Sequence, residues 1–145
     1  SKRNVLRQQA TGKYLCFCDD DDNIAPNYVE TLVRLAQHDK DIITFRCMFK
    51  NDTYWSLLNM SLVNKVNEET NPANIIQRTP WHVRPVRTEI ARKENFDDAL
   101  NHNEDFTWME KILVHVQNEV HTDVILTQYN HSDKGSEADR ILKSS

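Results

Sequence analysis

Residues 16–26 read CFCDDDDNIAP, with four consecutive aspartates, Asp19 to Asp22, between a short apolar run and a proline. Adjacent carboxylates repel one another, so something must compensate them. A helix N-terminus favours negative charge by about 0.3–1 kcal/mol, which accounts for one or two acids. It accounts poorly for four. A divalent cation would relieve the repulsion, and an all-oxygen donor set suits Mg²⁺, Mn²⁺ or Ca²⁺. A second acidic pair, Glu104-Asp105, precedes the apolar-periodic run FTWMEKIL. Taken alone, that pair reads as a helix start that favours acids.

The elements that must position these acids follow from patterning. RNVLRQQA at 3–10 suits a short helix, stopped at Thr11-Gly12 with the glycine at its C-cap. KYLCFC at 13–18 is apolar and part aromatic, and it reads as a buried strand with the aspartates at its C-terminal end. Pro26 fits a first helical position. PNYVETLVRLAQH then puts Tyr28, Val29, Leu32, Val33 and Ala36 on one face. DIITFRCMF follows as a second apolar strand. Strand–loop–helix–strand over 13–49 predicts a right-handed βαβ unit with a parallel strand pair. Ligands of such sheets bind beyond the carboxyl ends of the strands, where the aspartates lie.

The Asn-rich segment 50–80 carries a weak helix signal at PANIIQR and a short hairpin near TYWSLL. WHVRPVRT at 81–88 looks strand-like, with an edge or bend at Pro85. Glu104 to Val116 predicts an amphipathic helix with Phe106, Met109, Ile112, Leu113 and Val116 on one side. VHTDVILTQY at 120–129 predicts a last strand, and HSDKGSEADRILKSS a polar, weakly helical tail.

The chain has 145 residues, 39% apolar and 28% charged, which suits one domain with a packed core. Its net charge of −4 lacks the basic surplus of a nucleic-acid binder. No apolar run approaches the roughly 18 residues that span a membrane. SKRNVLRQQ lacks the apolar core of a signal peptide. Cys16, Cys18 and Cys47 are odd in number and show no framework spacing. Cys16 and Cys18 alternate with Leu15 and Phe17, and read as buried small residues rather than zinc ligands. A reducing, cytoplasmic location is expected.

Three chemistries compete for the aspartates. An EF-hand would use Asp19, Asp21 and Asn23 at loop positions one, three and five, and Glu30 at twelve. Ile24, however, stands where that loop needs Gly, and the preceding segment is too short and strand-like for an entering helix. A phosphatase of the haloacid-dehalogenase type shows a strand followed by D-x-D-x-[TV]. LCFC with Asp19 to Asp22 is similar, but Asn23 takes the Thr or Val position, and that family's later lysine and acidic motif have no clear counterpart.

The longest resemblance is to the family 2 glycosyltransferases of GT-A fold. RNVLRQQATGKYLCFCDDDDNIAPNYVETLV resembles that family's RN…ATG-x-Y segment, apolar strand, D-x-D motif and Pro-started helix. Arg3, Asn4, Ala10, Thr11, Gly12, Tyr14, Asp19, Asp21, Asp22, Pro26 and Glu30 match the pattern. TPWHVRPVRTEIARKENFDDALNHNEDFTWMEKIL resembles its Pro-Trp segment, arginine-bearing strand and Glu-Asp pair opening a helix.

The resemblance implies an α/β fold, a partial GT-A (Rossmann-like) glycosyltransferase domain with a mixed sheet flanked by helices. It would span 1–145, with the D-x-D strand–loop–helix over 13–38, an acceptor and base region over 79–117, and a C-terminal strand and tail over 119–145. The implied reaction is an inverting, metal-dependent transfer of a sugar. The donor would be a nucleotide-sugar diphosphate, and the acceptor the hydroxyl of a saccharide or of a lipid-linked acceptor. Asp21 and Asp22, joined by His131, would hold Mn²⁺ or Mg²⁺, and Asp19 would lie near the ribose. Asp105 would be the general base, oriented by Glu104. Trp81, Arg84, Arg87, Lys134 and Arg140 would contact the donor. The family's opening strand–helix–strand, which binds base and ribose, does not precede residue 1. The chain is therefore expected either to be a fragment of a longer one or to have that first half supplied otherwise. By itself it would be an incomplete enzyme or a non-catalytic module, self-associating through the sheet edge at KYLCFC.

Overall fold

IITFRCMFK, residues Ile42–Lys50, is the spine of a mixed sheet in this computed structural model. The structure describes residues 2–18, 22–53, 55–64, 68–70, 75–82, 84–97 and 104–130. A run rich in β-branched and aromatic side chains suits a strand covered on both faces, and Ile42, Ile43, Thr44, Phe45 and Cys47 are buried. In chain order the elements are α1 (Lys2–Gln9), β1 (Tyr14–Leu15), β2 (Asp22–Ile24), α2 (Tyr28–Ala36), β3 (Ile42–Lys50) and β4 (Trp55–Met60). Then come β5 (Glu68–Thr70), β6 (Ile75–Arg78), β7 (Val86–Arg87), α3 (Thr88–Ala91), α4 (Glu104–Leu113) and β8 (Glu119–Asn130).

One edge of β3 pairs antiparallel with β7 at Ile42, opposite Val86, and then with β4 from Arg46 to Lys50. The other edge pairs in parallel with β8, from Ile42 opposite Glu119 to Lys50 opposite Asn130. β8 carries β2 antiparallel, with Asp22 opposite Tyr129. β6 lies parallel to β4, and β5 antiparallel to β6. Among the described residues, no helix is long and apolar enough to cross a membrane.

Several expectations change. β1 and β3 do run parallel, but β7 is inserted between them, antiparallel to both. The inserted strand is latched to the first: Thr88 donates from N to Lys13 O at 2.9 Å and from Oγ1 to Gly12 O at 2.5 Å. β1 covers two residues of KYLCFC, and the chain leaves the sheet after Leu15, so Cys18 is exposed rather than buried. PANIIQR yields a strand, not a helix, because β6 finds a ladder on β4 that outweighs a weak local preference. On α2 the buried residues are Thr31 and Leu35, whereas Val29 and Val33 are 66% and 59% exposed. Tyr28 sets that rotation: its ring meets Phe45 edge-on at 6.2 Å, and its hydroxyl lies 3.1 Å from Cys16 Sγ. Burial pushes the Cys16 thiol up to about 11, so it stays protonated at neutral pH.

The main core packs α4 and α3 against the sheet. Trp108 stacks on Phe96 at 4.5 Å, with Phe17 edge-on to both rings at 5.5 and 5.8 Å. Val86, Ile90, Ala91, Met109 and Ile112 complete the cluster. α1 is tied to it by polar bonds. Asn4 donates from Nδ2 to Phe96 O at 3.0 Å and accepts from Phe96 N at 2.8 Å. Arg7 donates to Arg92 O at 3.0 Å and to Asn95 Oδ1. Both ends of the Phe96 peptide are thus satisfied by a single side chain.

Candidate active site

Asp105 owes its position to helix periodicity. It stands one turn ahead of Trp108 and Met109 on the stripe that continues to Ile112, and those three are buried. Packing that stripe turns Asp105 inward at the N-terminal end of α4. There it borders a cleft of about 360 Å³. Trp81 and Tyr129 supply aromatic walls, with ring centroids 6.0 Å apart and planes nearly perpendicular. Tyr129 is backed by Phe49, stacked at 5.7 Å. Phe106 and Met109 close the helix side, and Arg78 and His82 add polar groups.

The Asp105 carboxylate is held from two directions. Arg3 pairs with Oδ1, and His82 Nε2 lies 3.6 Å from Oδ2. Arg3 is itself supported by aromatic faces, its Cζ 5.9 Å from the Phe17 ring and 5.7 Å from the Phe96 ring. The side chain of Asp105 remains 32% exposed, so one face of the carboxylate can still meet a ligand. This arrangement can orient a hydroxyl group and accept its proton. Glu104 opens α4 directly before it.

β2 brings the end of the acidic run to the same place. Asp22 pairs across the ladder with Tyr129, the residue that walls the cleft. Asp19, Asp20 and Asp21 lie outside the described residues, as do His131, Lys134 and Arg140. Among the described residues, no group of three or more His, Cys, Asp or Glu could hold a metal ion. The donor chemistry of Asp21 and Asp22 fits a hard cation, because carboxylate oxygens are what Mg²⁺ and Mn²⁺ take.

The two arginines read as donor contacts sit elsewhere. Arg84 is fully buried beneath the sheet, donating from Nη2 to Phe45 O at 3.1 Å with its guanidinium 3.9 Å over the Phe45 ring. Burial pulls its pKa down, and neighbouring Cys47, Cys16 and Tyr28 offset that in part. With no exposed surface it reaches no ligand. Arg87 pairs with Asp39 at 2.8 Å and Asp41 at 3.2 Å beside the start of β1, at the opposite end of that strand from the aspartates. Both side chains therefore hold the sheet together.

Arg84 gives a stability test. Its contribution comes from the packed stem and the aromatic face rather than from a paired charge. Arg84→Met should leave stability within about 1–2 kcal/mol of the parent, whereas Arg84→Ala should cost roughly 2–5 kcal/mol through the cavity it opens. Denaturant unfolding of both variants checks this, and equal losses would show that the charge matters more than the packing.

Sequence reasoning missed Arg3, Arg78, His82 and Tyr129 as site residues. His82 follows Trp81 directly, which was a usable signal. The Arg3 contact joins two positions far apart in the sequence, and no local pattern announces it.

Residues 2–103 match the sequence model of the family described as glycosyl transferase family 2. Among solved structures the chain is similar to S. aureus TarS 1–349, at 20% identity and a TM-score of 0.63. The likeness covers 88% of this chain and 39% of that one, so the chain spans about two fifths of the TarS chain it matches. At that identity the likeness speaks for the fold alone. No curated protein sequence matches.

Proposed function

Because the chain belongs to glycosyl transferase family 2, we propose that it forms the acceptor side and part of the donor side of an inverting, metal-dependent glycosyltransferase. Its α/β architecture, a mixed sheet flanked by helices, is a partial GT-A domain. The observation that carries the functional reading is the convergence on Tyr129. The ring of that residue walls the cleft of Asp105, and its backbone pairs with Asp22. A base and an acidic run at one end of one strand are what a transfer between donor and acceptor requires.

In this reading an acceptor hydroxyl lies in the cleft against Trp81, with its proton directed at Asp105. The hydroxyl oxygen bonds to the anomeric carbon as the bond from that carbon to the diphosphate oxygen breaks. The proton passes to Asp105, and the nucleoside diphosphate leaves with the electron pair. Attack from the face opposite the leaving group inverts the centre. Arg3 and His82 hold the carboxylate, which keeps its accepting oxygen in one orientation. Asp21 and Asp22 would hold a divalent cation, which supplies Lewis-acid stabilisation of the departing diphosphate. His131 is carried as a further ligand of that cation, and Asp19 as a ribose contact. Lys134 and Arg140 are carried as diphosphate contacts. Trp81 moves from donor to acceptor stacking, and Arg84 and Arg87 become structural residues. Glu104 remains the neighbour that orients the base.

The EF-hand reading is not supported, since a two-residue strand rather than a helix precedes the acidic run. The family match favours transfer over phosphatase chemistry. Thermal unfolding tests the donor side. Mn²⁺ and UDP together should raise the midpoint more than either alone, because ligands of the native state stabilise it. Asp21→Asn should remove the joint gain. A joint gain that persists in Asp21→Asn would take that residue out of the metal site. No gain from any combination would make this chain a module that binds no donor by itself.

A further inference from the structure

His82 borders the Asp105 cleft with its side chain 11% exposed. Its Nε2 lies 3.6 Å from Asp105 Oδ2. That is outside hydrogen-bond range, so no bond holds a ring hydrogen against the carboxylate. The other oxygen, Oδ1, is paired with Arg3. A neighbouring cation favours the charged form of a carboxylate, so a proton taken up by Asp105 is held weakly. Transfer leaves Asp105 with a proton that it must pass on before it can act again. Among the described residues that line the cleft or touch the carboxylate, one side chain is suited to take it. Arg3 and Arg78 are guanidinium ions with no lone pair to offer. Trp81 is a donor only, and Tyr129 offers a weakly basic phenol. A neutral imidazole carries a lone pair on one ring nitrogen.

We infer that His82 takes the acceptor's proton on from Asp105, so that the two side chains form a relay. The inference rests on reading Asp105 as the base. The hydroxyl proton passes to Asp105 as the hydroxyl oxygen bonds to the anomeric carbon. The protonated carboxyl then donates to His82 Nε2. Its O–H bond breaks, the electron pair stays on the carboxylate, and an N–H bond forms on the ring. The carboxylate then stands between two cations, Arg3 and the imidazolium, which hold it ready for the next acceptor. The imidazolium releases its proton to water. This route requires one tautomer: the neutral ring carries its hydrogen on Nδ1 and presents a bare Nε2 to Asp105. A ring with its hydrogen on Nε2 would orient Asp105 and take nothing from it.

Long-range ¹H–¹⁵N correlation NMR of the 145-residue chain reads the tautomer without any ligand, at a pH raised until the ring is neutral. The His82 signals are assigned by their loss in His82→Gln. A hydrogen on Nδ1 with a bare Nε2 is the expected result, and a hydrogen on Nε2 overturns the inference. Kinetics of the complete enzyme supply the second arm. His82→Gln keeps a side chain that can still donate to Asp105 but takes no proton. Its kcat should fall about 10²-fold, the lower end of what acid–base help contributes, with the Mn²⁺–UDP stabilisation kept. Added imidazole should restore part of the kcat of His82→Gly, and none of that of Asp105→Asn. An unchanged kcat in His82→Gln overturns the relay. So does a loss in His82→Gly that imidazole does not restore, in a variant whose thermal midpoint matches the parent's, because His82 then only positions Asp105. The two readings fail apart. A fall in Asp105→Asn with none in His82→Gln defeats the relay alone, whereas an unchanged kcat in Asp105→Asn defeats the base assignment on which it stands.

Discussion

Asp105→Asn should lower transfer by the complete enzyme roughly 10²–10⁴-fold, the range that a positioned general base contributes, while leaving donor binding unchanged. Asparagine keeps the size and rotamer of the side chain but cannot take the proton of the attacking hydroxyl. The substitution also removes the carboxylate charge that pairs with Arg3, and this must not be mistaken for a folding defect. The pair is partly exposed, at 26% and 32% for the two side chains, so its loss should cost no more than about 1 kcal/mol. Arg3 keeps its contacts with the Phe17 and Phe96 rings. The decisive comparison is kcat against the Mn²⁺–UDP stabilisation in the same variant. A large fall in kcat with the donor response intact is the expected result. If donor binding falls by the same factor, Asp105 is a donor ligand rather than a base. Arg3→Lys separates positioning from chemistry, since it keeps the positive charge but not the fork. It should lower kcat less than Asp105→Asn does.

The strands β3 and β8 and the helix α4 were legible because each is long and strongly patterned. The long apolar run of β3 suits a buried strand, the β-branched residues of β8 suit an extended one, and the 3.6-residue stripe of α4 could bury only as a helix. Elements whose identity depends on a distant partner were not. Nothing inside PANIIQR states that β4 waits beside it, and nothing inside KYLCFC states that β7 will slot between it and β3. The face of α2 failed for a related reason. Val29 and Val33 fit an amphipathic stripe, but the contact of Tyr28 with Phe45 decides which side turns inward. The site divides in the same way. Asp105 could be singled out from its frame between the Trp81 block and the helix. Its holders, Arg3 and His82, could not, because an ion pair between remote positions leaves no period in the sequence. Arg84 and Arg87 looked alike on paper. Only burial separates a guanidinium sealed under Phe45 from one shared by two surface aspartates.

The same reasoning makes Trp108→Ala the largest expected loss of stability. Trp108 is 2% exposed, stacks on Phe96 at 4.5 Å, and donates from Nε1 to Glu94 O at 2.8 Å. Removing a buried aromatic of this kind costs about 3–5 kcal/mol, against a total stability of about 5–15 kcal/mol. In a chain of this size each kcal/mol moves the midpoint by roughly 2–4 °C, so a fall on the order of 10 °C is expected. Trp108→Phe should recover part of it, because a ring remains on the Phe96 stack while the packing of the second ring and the bond to Glu94, worth about 1 kcal/mol, are lost. A Trp108→Ala midpoint within about 3 °C of the parent would show that the indole does not anchor α4. The loss should reach the site as well. Asp105 sits one turn before Trp108 on the same stripe, and Phe96 also carries the bonds from Asn4 and the face beneath Arg3. Loosening the Trp108–Phe96 stack therefore frees both ends of the Arg3–Asp105 pair. Well below its melting temperature, the folded fraction of Trp108→Ala should show a lower kcat with donor binding kept. That pattern would tie the core of this domain to the orientation of Asp105.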